Sequence, residues 1–99
     1  MTSRYVLGLI AEQVIKRLEE LEMKPEHMSI SFSPHFKGVY VSLGRYFGSN
    51  EERRAAAMEY IDKYGGELEL SKSLYPQLNI KDTIREVPIS ISMGYLKTK

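Results

Sequence analysis

His27 and His35 are the chain's only imidazoles, and no cysteine accompanies them. An imidazole can serve as a general base, as a partner to a nucleophile or as a metal ligand near neutral pH. The two lie eight residues apart, flanking one extended run, and neither sits in the His-x-x-x-His spacing that turns two ligands onto one helix face. The lack of cysteine removes disulfides, thiolate nucleophiles and cysteine-based zinc sites. Glu19, Glu20 and Glu22 read as the solvated side of a helix rather than as paired carboxylates for acid–base work. These residue types point to no catalytic centre, no metal and no cofactor, and they leave an enzyme whose site forms only across an oligomer interface as a weaker alternative. The expectation is a non-enzymatic protein that acts by contact.

A different pattern supports that expectation. The runs Met28 to Ser33 and Val87 to Tyr95 alternate between large apolar residues and small ones, mostly Ser and Gly. Such alternation puts the apolar set on one sheet face and the small set on the other. The run from Val39 to Phe47 sends Tyr40, Ser42, Gly44 and Tyr46 to the same second face. That face also receives Ser29, Ser31, Ser33, Ser90, Ser92 and Gly94, with Glu67 and Glu69 as its charges. Exposed strand positions favour β-branched and aromatic residues, and Ser and Gly gain little there from propensity. The uncharged Ser/Gly/Tyr surface is therefore read as a contact surface. Four strands about 4.8 Å apart and ~17 Å long cover only some 300 Å². A stable interface needs ~800 Å² per partner, so neighbouring segments must contribute.

The elements that position this face follow from spacing. Leu7, Ile10, Val14, Leu18 and Leu21 recur at helical intervals and predict a helix from about Ser3 to Met23, with Tyr5, Val6 and Ile15 widening its apolar stripe. Thr2 or Ser3 caps its start, and Lys24-Pro25 ends it. Strands are predicted over His27 to Ser33 and Val39 to Phe47, joined through Pro34 to Gly38. Ser49 and Glu52 have capping-box spacing and open a second helix, with Ala57, Met58, Ile61 and Tyr64 on its apolar side and Gly65-Gly66 at its end. A short strand, Glu67 to Ser71, turns Leu68 and Leu70 inward. Lys72 to Ile84 reads as a long functional loop in which Leu78-Asn79-Ile80 is a candidate extra strand. The last strand is predicted from Arg85 to Lys97, with Val87, Ile89, Ile91, Met93 and Tyr95 inward and Pro88 near its start.

Helix, strand, strand, helix, strand, strand in one 99-residue domain (1–99) predicts an α+β two-layer sandwich. In it, both helices cover one face of a four-stranded, mainly antiparallel sheet. A circularly permuted ferredoxin-like arrangement satisfies this order. The apolar fraction of 42% and charged fraction of 27% are those of a folded globular chain. A net charge of +1 supplies no strong non-specific pull toward nucleic acid or anionic membrane. No apolar run approaches the ~18 residues that span a bilayer, and Glu12 interrupts the apolar stretch after the N-terminus. No membrane association, no signal peptide and a cytoplasmic location are expected.

Two local resemblances bear on function. Lys37-Gly38-Val39-Tyr40-Val41 resembles the core motif of RNA-recognition domains, in which sheet aromatics stack on unpaired bases. Here Val39 stands at an aromatic position and Leu43 replaces the last aromatic. The resemblance implies an alternative role as a binder of nucleotide or single-stranded nucleic acid through Tyr40, Tyr46, Arg45 and Lys37. Leu43 to Ser49 resembles a Gly-Arg-x-Phe-Gly-Ser stretch of dynein light chains, which begin with two helices and continue from it into a strand. One helix precedes it here, and a capped helix follows.

The reading is thus a small interaction protein, inhibitor- or adaptor-like, of the kind that viruses also carry. It self-associates, as a homodimer, through Tyr40, Ser42, Arg45, Tyr46, Ser90 and Ser92, with Tyr75 and the segment up to Ile84 assisting. A foreign protein partner is the further expectation.

Overall fold

A computed structural model describes residues 4–23, 28–33, 38–43, 48–72, 74 and 76–95. The elements in chain order are α1 (Arg4–Glu20), β1 (Ser29–Ser33), β2 (Gly38–Ser42), α2 (Asn50–Tyr64), β3 (Glu67–Leu70), β4 (Gln77–Ile84) and β5 (Val87–Tyr95). The five strands form one mixed sheet in the order β1-β2-β5-β4-β3. All neighbouring pairs are antiparallel except β2 with β5.

The α+β class stands, but the four-stranded sheet is corrected to five strands. The segment expected to be mostly loop is the eight-residue β4, which hydrogen-bonds to β5 along its length. It lies between β5 and β3 and moves β3 to the sheet's edge. The sheet thus has one strand more than the four-stranded permuted ferredoxin-like arrangement. The missed signal is the turn. Arg85 and Glu86 join β4 to β5 with φ of 50° and 67°. A two-residue hairpin of type I′ needs positive φ at both central residues, and Asn-Gly or Asp-Gly normally advertises it. Here two long charged residues take that conformation, because the cross-strand pairs on either side, such as Ile84 with Val87 and Ile80 with Ile91, fix the register.

Of the expected α1 stripe, Leu7, Ile10, Val14 and Leu18 are buried and Leu21 is partly buried against the core; Ala11 joins them. Tyr5 and Val6 do not widen it. They are exposed, as is Leu9, because the first turns of α1 present apolar residues all round while only one side meets the sheet. The helix stops before Lys24-Pro25, through its own C-cap. The amide of Met23 donates to the Leu18 carbonyl at 3.0 Å, and that of Glu22 donates to Glu19 at 2.9 Å, with Glu22 at φ 60°. This is a Schellman motif with glutamate at the usual glycine position, and buried Met23 beside buried Leu18 supplies its hydrophobic contact.

α2 begins as its sequence predicts. Ser49 Oγ accepts from the Glu52 amide at 3.1 Å and donates to the Glu52 carboxylate at 3.0 Å. Its buried side is rotated from the expected one: Arg53, Ala57 and Tyr60 are buried, whereas Met58 is 45% exposed. Gly65 ends the helix at φ 91°, ψ −172°, a region open essentially to glycine alone. At Gly66, φ 109°, a Cβ would stand 3.0 Å from the Lys81 carbonyl oxygen, so any other residue strains the approach of β3 to β4 there.

The core is one layer between the helices and the sheet. Val39 and Val41 of β2 pair with Ile89 and Ile91 of β5, and Ile80 of β4 stands opposite Ile91. All five are at most 1% exposed. Leu68 and Leu70 share that face in register, but remain 43% and 49% exposed because β3 is the edge strand. Gly94, at φ 86°, lies where β4 and β5 shift register between Gln77 and Asn79, the usual place for glycine in a bulge.

Candidate contact surface

Two polar constellations survive folding, one on each sheet face. The first lies on the helix side. Asp82 stands opposite Ile89, so its carboxylate enters the core layer, and both helices reach it. Arg17 of α1 donates from Nη1 to Asp82 Oδ2 at 3.1 Å and to the Tyr60 hydroxyl oxygen at 2.9 Å. The Tyr60 hydroxyl donates in turn to Asp82 Oδ2 at 3.2 Å. The second carboxylate oxygen accepts from the Thr83 amide at 2.7 Å. The Arg17 guanidinium also lies 4.8 Å from the centre of the Tyr64 ring, whose hydroxyl donates to Glu20 at 2.5 Å. Lys63 pairs with Glu20 at 3.5 Å.

Charges inside a core layer are tolerated only when paired and hydrogen-bonded. Burial pushes the Tyr60 hydroxyl up to about 12, against the opposing pull of Arg17. Burial also works against the charge on Arg17, but the hydrogen bonds and charges of Tyr60 and Asp82 outweigh it and raise its pKa. The Tyr64 hydroxyl, then Lys63, hold the Glu20 carboxyl below its usual range. Both Asp82 oxygens are engaged, and Tyr60 is held protonated. The group therefore works as a clamp joining α1, α2 and β4 rather than as an acid–base pair. Arg53 is likewise turned inward, its Nε donating to the Met93 carbonyl at 3.1 Å. Ser49 is occupied by capping.

The second constellation lies on the face that the helices leave uncovered. Register brings Tyr40 beside Ser90 and Ser42 beside Ser92, and sets Ser31 and Ser29 next to Tyr40 and Ser42 on the other side. The structure thus gathers four of the sequence-predicted contact residues: Tyr40, Ser42, Ser90 and Ser92. Arg45, Tyr46 and Tyr75, like His27 and His35, lie outside the described residues. Ser90 and Ser92 sit on the central strand and are 2% and 0% exposed, so they form a floor between taller neighbours. Tyr40 and Ser42 are half-buried, and Ser29 and Ser31 are exposed.

Sequence reasoning gave the segment from Tyr75 to Ile84 a part in the contact without naming the residues that β4 adds to this face. Gln77 Nε2 donates to the Tyr40 hydroxyl oxygen at 2.9 Å and hydrogen-bonds to Ser92 Oγ, which also accepts from the Gly94 amide at 3.2 Å. Lys81 Nζ donates to Ser90 Oγ at 3.3 Å and lies 3.9 Å from a Glu69 carboxylate oxygen. Asn79 is buried, and its Oδ1 has no hydrogen-bond partner. The alternation of Leu78 and Ile80 with Asn79 and Lys81 was the available signal. It marks Leu78-Asn79-Ile80 as a candidate strand, but the full length of β4 escaped because no recognisable turn bounded it.

This face is divided. Among the described residues, β3 and β4 supply its charges, Glu67, Glu69 and Lys81, while β1, β2 and β5 contribute serines, Tyr40 and glycines. An open hollow of about 520 Å³ lies on the charged side, lined by Gly66, Glu67, Lys81, Asp82 and Thr83. It forms where β4 runs on past the end of β3, since pairing stops at Glu67 and Lys81. Among the described residues no metal-ligating group of His, Asp or Glu side chains comes together, and no helix is long and apolar enough to cross a membrane. No protein-family model matches the chain, and no curated protein or solved structure matches it.

Proposed function

We propose that this chain is a small non-enzymatic interaction protein that self-associates through the uncharged side of its open sheet. The observation that carries the reading is the division of that face. Ser29, Ser31, Tyr40 and Ser42 form an uncharged strip over β1 and β2, while Glu67, Glu69 and Lys81 keep the opposite side charged. A strip of short side chains lets a second surface approach closely, and Tyr40 brings contact area at small entropic cost. Its hydroxyl is already held by Gln77, so little freedom remains to be lost on contact.

Native mass spectrometry and sedimentation equilibrium of the purified protein over a range of concentrations test this. Multiples of the 11.4 kDa chain are expected. The paired substitution Ser29→Glu with Ser31→Glu should return the particle to a monomer without unfolding it, because both sites are exposed and a carboxylate there is costly only when desolvated. A wild-type protein that stays monomeric at every concentration refutes the reading.

A further inference from the structure

The sheet has two edges, and they are built differently. β3 is four residues long and carries Glu67 and Glu69, which deter pairing with another chain. β1 is Ser-Ile-Ser-Phe-Ser, with no charge and no proline, and among the described residues no strand lies on its outer side. Charges, prolines and bulges are the usual means of blunting an edge. The core beside β1 is also unfinished: Met28 and Ile30 pack against the core yet stay only partly buried.

The order of residues in β1 is the same in both directions with respect to type. An antiparallel copy centred on Ser31 sets Ser31 opposite Ser31, Ile30 opposite residue 32 (Phe), and Ser29 opposite residue 33 (Ser). Directly opposed residues share a face, so every apolar position meets an apolar one and every serine meets a serine. A two-fold contact requires a surface that complements itself in this way.

We propose that a second copy of this chain docks antiparallel along the outer edge of β1, with the two-fold axis at Ser31, and continues the sheet from one copy into the other. The inference rests on the self-association proposed above and moves its contact from the face of the uncharged strip to the β1 edge that borders it. The edge is about 17 Å long and a sheet about 10 Å thick, so the footprint is some 170 Å² against the ~800 Å² per partner of a stable interface. The dimer is therefore weak and concentration-dependent. It joins the two uncharged strips into one longer surface.

Because the chain has no cysteine, a single introduced thiol reports the register cleanly. In this pairing the two Ser31 Cα atoms stand about 4.5–5.5 Å apart, within disulfide range, while the two Ser29 Cα atoms are displaced along the strands by ~13 Å. Under mild oxidation Ser31→Cys should form a covalent dimer and Ser29→Cys should not. Ser31→Lys and Ser31→Glu should each weaken dimerisation by up to about fivefold, and mixing the two should restore it, since like charges repel and opposite charges attract at directly opposed positions. Ser42→Glu, away from the edge, should leave the dimer intact. Equal cross-linking of both cysteine variants overturns the proposal. So does a dimer that Ser42→Glu dissociates and that Ser31→Cys does not trap, although self-association through the open face then stands. A chain that is monomeric at every concentration and is not trapped by Ser31→Cys overturns both.

Discussion

Replacing Tyr60 by phenylalanine removes one oxygen from the clamp and leaves the ring in place. The ring is fully buried, so its packing is retained. What is lost is the bond donated to Asp82 and the bond accepted from Arg17. Hydrogen bonds to charged groups contribute ~1.5–3 kcal/mol each. Arg17 and Asp82 still hold each other directly at 3.1 Å, so the two losses do not add fully, and about 2 kcal/mol is expected at neutral pH. In a urea titration this lowers the midpoint by roughly 1 M, with an unchanged slope.

The same variant has a pH signature. The Tyr60 pKa rises from 10.0 unfolded to about 12 folded. A raised pKa means that the folded state holds its proton more tightly. The stabilisation is complete below pH 10 and is lost as pH rises through about 12. The wild-type advantage over Tyr60→Phe should shrink by on the order of 1 kcal/mol near pH 11 and by a few kcal/mol once both states have ionised. Other tyrosines and lysines titrate in both proteins and cancel in the difference. A neutral-pH loss below about 0.5 kcal/mol, or a difference that stays constant between pH 9 and pH 11.5, would refute the assignment of Tyr60 as a buried link between Arg17 and Asp82.

Two further substitutions test the backbone. Arg85→Asn together with Glu86→Gly gives the β4–β5 turn residues suited to its positive φ values and should stabilise the protein by about 1 kcal/mol in urea or thermal unfolding; a loss would mean that the two side chains make contributions that the turn geometry does not reveal. Gly66→Ala combines φ 109° with a 3.0 Å approach to the Lys81 carbonyl, and should cost at least about 1–3 kcal/mol while raising hydrogen exchange in β3 before the rest of the sheet.

Local chemistry was legible wherever one element decided its own state. The Ser49–Glu52 cap, the glycines after α2 and the buried stripe of α1 depend on contacts within a few residues or on a single periodicity, and the fold retains them. Over Ser29 to Ser31 and Val87 to Met93 the alternation likewise sorts apolar from small residues, since strand geometry alone sends neighbours to opposite faces. Which strand lies beside which was another matter. Pairing depends on residues far apart in the chain, and the turn that announces β4 is built from Arg85 and Glu86, whose types carry no turn signal. Asp82 could be read as polar but not as partly buried, because its partners Arg17 and Tyr60 lie 65 and 22 positions away. Ser90 and Ser92 looked exposed for the same reason. Alternation tells which face a side chain takes, whereas its burial is set by the height of the neighbours that the sheet order brings beside it, and for these serines that order became visible only in the folded chain.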